Sequence, residues 1–393
     1  MKVKIINALK NIFILSHFGF FMVFFVLLLL TFVIHPTIFG NLDNDTSNQP
    51  TLKEIIKENI LSDESKNIEN TGPLDKEAYD KKMLELANNP PPPKPTTKTV
   101  KDKKTGKVTT VTVPAAPAKA VIWPAKAPYP NDGALLPFNR IVAYYGNLYS
   151  TKMGVLGQYE ESEMLQRLKA EVKKWEDADP NTPVIPALHY IAVVAQGSAG
   201  KDGKYRFRMP DTEIDKVLAM ADKIHGIVFL DVQVALSNIQ TEVPYFEKYL
   251  KLPNVHLGID PEFSMKTGKK PGTVIGTFDA SDVNFAANYL AKIVKENNLP
   301  PKILVVHRFT KGMVTNYKEI KPLPDVQIVM DMDGWGGIEK KIGTYKNFIY
   351  PEPVQFTGFK LFYKNDTERS KSRMLTQGEL LQLNPRPSYI QYQ

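Results

Sequence analysis

The hydrophobic pattern changes character twice along the chain. Between Lys10 and Asp43 there is no Lys, Arg, Asp or Glu, and the run from Ile12 through Leu30 is almost wholly apolar. A helix needs ~20 such residues to cross ~30 Å of hydrocarbon. A secretory signal has a shorter apolar stretch closed by a small-x-small site; here the exit is Thr31-Phe32-Val33-Ile34-His35-Pro36. The pattern predicts an uncleaved transmembrane anchor over residues 1–40. Lys2, Lys4 and Lys10 lie on its near side. The positive-inside rule then keeps the N-terminus cytoplasmic and the C-terminal domain extracytoplasmic, in a single pass.

From Arg140 onward, continuous apolar runs of strand length alternate with helical stripes. The runs are 141–145, 184–194, 226–231, 255–260, 302–307, 326–331, 358–363 and 389–392. Continuity rather than strict alternation marks strands covered on both faces. Between them, Met164, Leu165, Leu168, Val172 and Trp175 form one helical stripe. Ile214, Val217, Leu218, Ala221 and Ile224 form another. Phe285, Tyr289, Leu290, Ile293 and Val294 form a third, introduced by the cap candidates Asp279, Ser281 and Asp282. Weaker helices are expected near 315–320, 338–348 and 376–383. Eight βα units over residues 138–393 predict an α/β fold, a (β/α)8 TIM-type barrel of about the usual 250 residues. An open doubly wound sheet is the competing architecture. No Gly-x-Gly-x-x-Gly or Walker-type loop follows any strand, which argues against a nucleotide site.

Residues 41–137 read as an extended Pro/Lys-rich stalk, rich in Asn, Asp, Lys, Thr and Pro and poor in aromatics. Within it, 52–61 and 74–86 carry short amphipathic patches, and Pro90-Pro91-Pro92-Pro93 predicts a polyproline spacer. Residues 97–113 alternate polar and β-branched positions around Lys104-Thr105-Gly106, a hairpin pattern.

Composition narrows the chemistry. There is no Cys, which removes disulfides, thiolate metal sites and a cysteine nucleophile. The formal net charge of +8 comes from 50 Lys plus Arg against 42 Asp plus Glu. It is spread over both halves of the chain rather than clustered, so no nucleic-acid groove is expected.

In a barrel of this kind, active-site groups project from the C-terminal strand ends. Four expected ends carry polar residues: Asp231-Val232-Gln233, Asp260-Pro261-Glu262-Phe263, His307-Arg308-Phe309 and Asp331-Met332-Asp333-Gly334-Trp335. Side chains two apart share a face of a strand. Asp231 with Gln233, Asp260 with Glu262, and Asp331 with Asp333 are therefore expected to enter one mouth. Crowded buried carboxyls repel, so one should hold its proton near neutrality. An acid facing a carboxylate is the equipment for glycosidic cleavage. Tyr144, Tyr145, Gln233, His307, Trp335 and Tyr363 are candidates for holding a sugar. Arg308 should point away from His307. His189 has no clear facing, and His225 and His256 sit at strand starts, so none of these three is assigned. A single Asp at a strand end commonly caps the next helix, and only their grouping favours a site. The Gly-rich loop 197–203 reads as a lid or a plain surface loop.

Ile141-Val142-Ala143-Tyr144-Tyr145-Gly146, Leu230-Asp231-Val232-Gln233, Gly258-Ile259-Asp260-Pro261-Glu262-Phe263, Val305-Val306-His307-Arg308-Phe309-Thr310 and Met332-Asp333-Gly334-Trp335-Gly336-Gly337 resemble a family of largely uncharacterised extracytoplasmic bacterial proteins. Its members are commonly secreted, lipid-linked or membrane-anchored. The resemblance covers about 138–393 and implies a glycosidase-like (β/α)8 barrel, without a substrate. The Asp-x-Glu of the fourth strand is also loosely similar to chitinase-type barrels of family 18. The acids that precede that motif are replaced here by Val255, His256 and Gly258.

Three readings follow. The first is a surface-tethered glycoside hydrolase acting on cell-envelope polysaccharide. Glu262 is its acid, Asp231 or Asp331 its nucleophile or base, and Asp260 tunes Glu262. The second is a non-catalytic glycan-binding or structural component of an envelope complex, with glycan or an envelope protein as partner. The third is a metal-dependent hydrolase using Asp260, Glu262, Asp331, Asp333 and His307. The first strand lacks the His-x-His usual in metallo-hydrolase barrels, which ranks that reading last. No metal ligand set and no cofactor is assigned.

Overall fold

The computed structural model describes residues 73–393 except 102–105, 107 and 116–119. The anchor expected over 1–40, and the expected stalk before residue 73, lie outside the described residues. Among the described residues no helix is long and apolar enough to cross a membrane.

Eight parallel strands close into a barrel: β1 Arg140–Gly146, β2 Val184–Ala195, β3 Ile227–Val232, β4 Val255–Ile259, β5 Lys302–Arg308, β6 Val326–Met332, β7 Phe356–Leu361 and β8 Tyr389–Tyr392. Closure is explicit in the register. β1 pairs on one side with β2 (Ile141↔Ile185) and on the other with β8 (Ile141↔Tyr389). This is the TIM-type barrel that the eight apolar runs predict; an open sheet would leave two edge strands with one neighbour each, whereas all eight strands here have two. Every residue of β1 and of β3 through β8 is buried. That burial explains why the runs are continuous: helices and loops cover the outer face while side chains fill the inner one.

The helices include α1 Lys76–Ala87, α2 Glu161–Ala178, α3 Asp211–Asp222, α4 Ile239–Tyr245, α5 Ala280–Asn297, α6 Ile338–Thr344 and α7 Gln377–Leu381. Helix α5 starts where its cap candidates put it. Asp279 is the N-cap, and Asp282 returns a bond to its backbone N–H. Its buried face is set by Ala286, Ala287, Leu290 and Ala291. The small alanines let the helix approach the barrel, and Phe285 and Tyr289 lie at the flank, half-buried. The helix expected near 315–320 is instead two single 3-10 turns, Lys311–Met313 and Tyr317–Glu319. Pro322 and Pro324 follow too closely for a helix to propagate.

Part of the span expected as stalk packs onto the barrel. Tyr79, Met83 and Ala87 of α1 are buried. Tyr79 and Met83 join Leu135, Leu136, Ile141, Ile185 and Ile227 in one apolar cluster at the N-terminal mouth. The polar backbone there is satisfied too. Gln327 accepts the Leu136 N–H and donates to its carbonyl, at 3.1 and 2.6 Å, and Arg386 donates its backbone N–H to Leu86 at 2.7 Å. The amphipathic patch over 74–86 therefore has a hydrophobic partner; burying a side chain the size of Met83 stabilises by ~1.5–3 kcal/mol. The hairpin expected around Gly106 is present, with Thr96–Lys101 antiparallel to Val108–Val113.

Candidate active site at the C-terminal mouth of the barrel

Period-two alternation carries the inward face of each strand from apolar to polar. On β1 it runs Ile141, Ala143, Tyr145; on β2 Ile185, Ala187, His189; on β3 Ile227, Phe229, Asp231. On β5 it runs Ile303, Val305, His307, and on β6 Val329, Asp331 and then Asp333 beyond the strand end. The apolar members belong to the barrel core. The polar members meet above it.

Two glycines make that meeting possible. A Cβ on Gly258 of β4 would lie 2.5 Å from both Asp231 Oδ1 and His189 Nε2. One on Gly358 of β7 would lie 2.5 Å from Asp331 Oδ1. Asp231 and Asp331 sink into the space those missing side chains leave.

The site consequently has two storeys. Below, His189, Asp231, His307 and Asp331 are wholly buried. Asp231 Oδ1 lies 3.4 Å from His189 Nε2 and 3.4 Å from His307 Nε2, while its Oδ2 accepts the Tyr145 hydroxyl at 3.0 Å. His307 Nδ1 faces Asp331 at 3.2 Å and Asp333 at 3.3 Å. Above, a cleft of about 630 Å³ is lined by Tyr145, Gln233, Asp260, Glu262, Asp333, Trp335 and Lys360, with Phe263, Phe309 and Phe362 among its aromatic walls.

Local structure aims each floor group. Asp260 Oδ1 accepts the Glu262 N–H at 2.9 Å, capping the 3-10 turn Pro261–Phe263. The Glu262 carbonyl accepts the Gly276 N–H at 2.7 Å, so both sides of the Glu262 backbone are tied. Lys360 pairs with Asp333 at 3.0 Å and stands 3.7 Å above the Tyr145 ring. Gln233 takes the Ala195 N–H at 3.0 Å and turns its amide toward Tyr145 and Asp260.

The electrostatics sort the acids. Burial, followed by the charge of Asp333, pushes Glu262 up to about 7, against the pull of Lys360 and His307. Burial also holds Asp260 well above the ordinary carboxyl range, helped by Glu262, Asp231 and Asp333. For Asp231 burial acts upward, but the charge of His307 and the closeness of both imidazoles outweigh it and leave the group well below the ordinary range. Burial pulls His307 down, yet Asp231, Asp331 and Asp333 together raise it well above a free imidazole. Burial brings His189 to about 4. Two classes of carboxyl in one pocket are the arrangement acid–base chemistry needs.

Most of the expected residues converge, on two levels. Glu262, Asp260, Asp333, Tyr145, Gln233 and Trp335 line the cleft. Asp231, Asp331 and His307 lie beneath its floor, at 0% exposure, where no polysaccharide reaches. Tyr144 and Tyr363 do not line the cleft. Tyr144 points out of the barrel wall, and the two hydroxyls meet at 3.1 Å beside Glu171 of α2. Arg308 faces outward, as expected, and pairs with Glu352 at 2.6 Å. The loop 197–203 is the bend of a hairpin extending β2, its return strand Arg206–Arg208 tied to Glu242.

Two members escaped the sequence reading. His189 is inward because it follows Ile185 and Ala187 on the same face, and that period of two was the usable signal. Lys360 follows Gly358 in the same way. The five residues considered for a metal-dependent hydrolase do not share one level, since Asp331 and His307 lie below the floor. Among the described residues, the donors that converge to within 4.8 Å are those of His189, Asp231 and His307.

Fold and site together define a (β/α)8 barrel with a carboxyl-lined cleft at the strand C-termini. No family model and no curated protein matches the chain. Among solved structures it is similar to a GH5-4 broad-specificity endoglucanase from Clostridium longisporum, at 10% identity over 57% of this chain and 75% of that one, with TM-score 0.33. It is also similar to a ruminal GH26 endo-beta-1,4-mannanase, at 12% identity over 72% and 67% of the chains, TM-score 0.33. A third is GH26C from Muricauda sp. MAR_2010_75, at 10% identity over 64% and 70%, TM-score 0.26. Identities of this size carry no site residue across, and the barrel here rests on its own strand pairing.

Proposed function

We propose that the protein is a glycoside hydrolase whose barrel cleaves a polysaccharide of the cell envelope, with Glu262 as general acid and Asp333 as nucleophile or base. The observation that carries this reading is Glu262, tied at both backbone sides and pushed up to about 7 in a cleft it shares with Asp333. Protonated near neutrality, Glu262 donates to the glycosidic oxygen as the bond to the anomeric carbon breaks. Asp333, anchored by Lys360, supplies negative charge to the oxocarbenium-like centre or activates the incoming water. The role considered for Asp231 or Asp331 passes to Asp333 because the two glycines let the deeper pair sink out of reach. Asp260 caps the turn that presents Glu262. Trp335, 44% exposed, and Phe263 offer ring faces for sugar stacking.

Tethering belongs to the same proposal. It is supported by the charge-free apolar run between Lys10 and Asp43 and by the lysines before it. The barrel would then work outside the cytoplasm on glycan near the membrane.

The experiment is release of reducing ends from isolated wall and capsular polysaccharides, with the wild type beside Glu262→Gln and Asp333→Asn. Turnover by the wild type and its loss in both variants supports the reading. Full activity of Glu262→Gln on a verified substrate overturns it. So does glycan binding by wild type and variant alike with no turnover, which belongs to a binding module.

A further inference from the structure

We propose that His189, Asp231 and His307 bind a divalent transition-metal cation of the zinc class beneath the floor of the cleft. No step of the proposed glycan chemistry requires this, and the inference stands on three observations of a different kind.

The first is spacing. Asp231 Oδ1 lies 3.4 Å from His189 Nε2 and 3.4 Å from His307 Nε2. Hydrogen bonds between such atoms run ~2.7–3.2 Å. Ligands held ~2.0–2.2 Å from a tetrahedral zinc ion stand about 3.3–3.6 Å apart, the edge of that tetrahedron. Two imidazoles and a carboxylate also form a donor set suited to zinc, iron or cobalt rather than to calcium or magnesium.

The second is what each donor faces. His189 Nε2, Asp231 Oδ1 and His307 Nε2 are buried and have no hydrogen-bond partner. The opposite atoms of His189 and Asp231 are held by hydrogen bonds, and that of His307 is packed against a carboxylate. His189 Nδ1 meets the Tyr389 hydroxyl at 2.6 Å, Asp231 Oδ2 accepts from Tyr145, and His307 Nδ1 faces Asp331. Outer groups that fix the far side of each ligand, a carboxylate behind a histidine above all, are the usual support of a metal site. Gly258 completes the cradle, since a Cβ there would lie 2.5 Å from two of the three donors.

The third is charge. Asp231, Asp331 and Asp333 crowd around one imidazole, with Lys360 as the ion-pair partner of Asp333. Buried carboxylates need compensation; Lys360 supplies it to Asp333, and a divalent cation ligated by neutral His307 would supply it to the deeper acids.

The test uses full-length protein, stripped with a chelator and dialysed against Zn²⁺ or Co²⁺ alone, with metal content measured by plasma mass spectrometry. The expected result is one ion per chain, a melting temperature that rises with Zn²⁺, and the intense visible absorption of four-coordinate Co²⁺. His189→Gln and His307→Gln should lose the ion, and Asp331→Asn should weaken binding ~10–100-fold. If either histidine variant does not fold, the wild-type Co²⁺ spectrum and Zn²⁺-dependent melting decide alone. The inference is overturned by a stripped wild type that takes up no ion, by the weak spectrum of six-coordinate Co²⁺, or by folded histidine variants that keep the ion. None of these readouts involves glycan turnover, so the hydrolase proposal and the metal site can fail separately.

Discussion

The lower and upper halves of the barrel interior are built by the same strands and differ only in two residues' advance along each. Below lie Ile141, Ile185, Ile227, Phe229, Ile303, Val305 and Val329, closed off by Tyr79 and Met83 of α1. Above lie Tyr145, His189, Asp231, His307 and Asp331, equally buried but polar. The lower half satisfies its side chains by apolar contact. In the upper half several buried atoms have no hydrogen-bond partner, among them both nitrogens of His307 and both carboxyl oxygens of Asp331. Such groups cost free energy wherever they are only packed. The difference teaches that stability is concentrated at the N-terminal end of the strands, and that the C-terminal end gives some of it up to assemble charged groups.

Substitutions can break that division or sharpen it. The largest effect is expected from Glu262→Gln, a loss of ~10²–10⁴ in kcat if it is the general acid, with a melting temperature at or above that of the wild type. A large fall in melting temperature with activity retained would erase the division. Phe229→Ala, two residues below Asp231 on the same face, should do the opposite. Loss of its contacts should cost ~3–5 kcal/mol in denaturant unfolding, with activity of the remaining folded fraction unchanged. Gly258→Ala sits at the boundary. Its methyl would drive into His189 and Asp231, and overpacking of this kind costs ~1–3 kcal/mol, read as a lowered unfolding midpoint.

The pH dependence gives a fourth, smaller effect. Glu262 titrates at about 7 in the folded protein, against 4.5 as its ordinary value. Between those values the native state holds a proton that the unfolded chain releases. Its contribution is therefore fully present below pH 4.5 and declines as pH rises through 7, by ~1–3 kcal/mol. Unfolding midpoints measured from pH 4.5 to 8 should show that decline, and Glu262→Gln should flatten it. Activity that needs the protonated acid should fall over the same upper limb.

Much of this was legible along the chain. The eight apolar runs mark all eight strands to within about two residues at their starts, because a strand covered on both faces is continuous in hydrophobicity. Asp279 and Asp282 announce the start of α5 because capping is local. Asp260, Glu262 and Asp333 were identifiable as a group because the C-terminal end of a barrel strand is where side chains face a common mouth. Less legible was α1, whose apolar side is narrow and has meaning only against Leu135, Leu136 and the strand ends it meets.

What the sequence by itself determined was therefore everything set by local periodicity: strands, most helices, and which acids share a face. What only the tertiary structure decided was depth. Asp231 and Asp331 alternate as Asp333 does, yet they drop below the floor because glycines on adjacent strands leave room there. His189 is brought to Asp231 by strand register. These outcomes depend on which residues stand across from one another in the closed barrel, and distances between chain-remote atoms are fixed only when the ring closes.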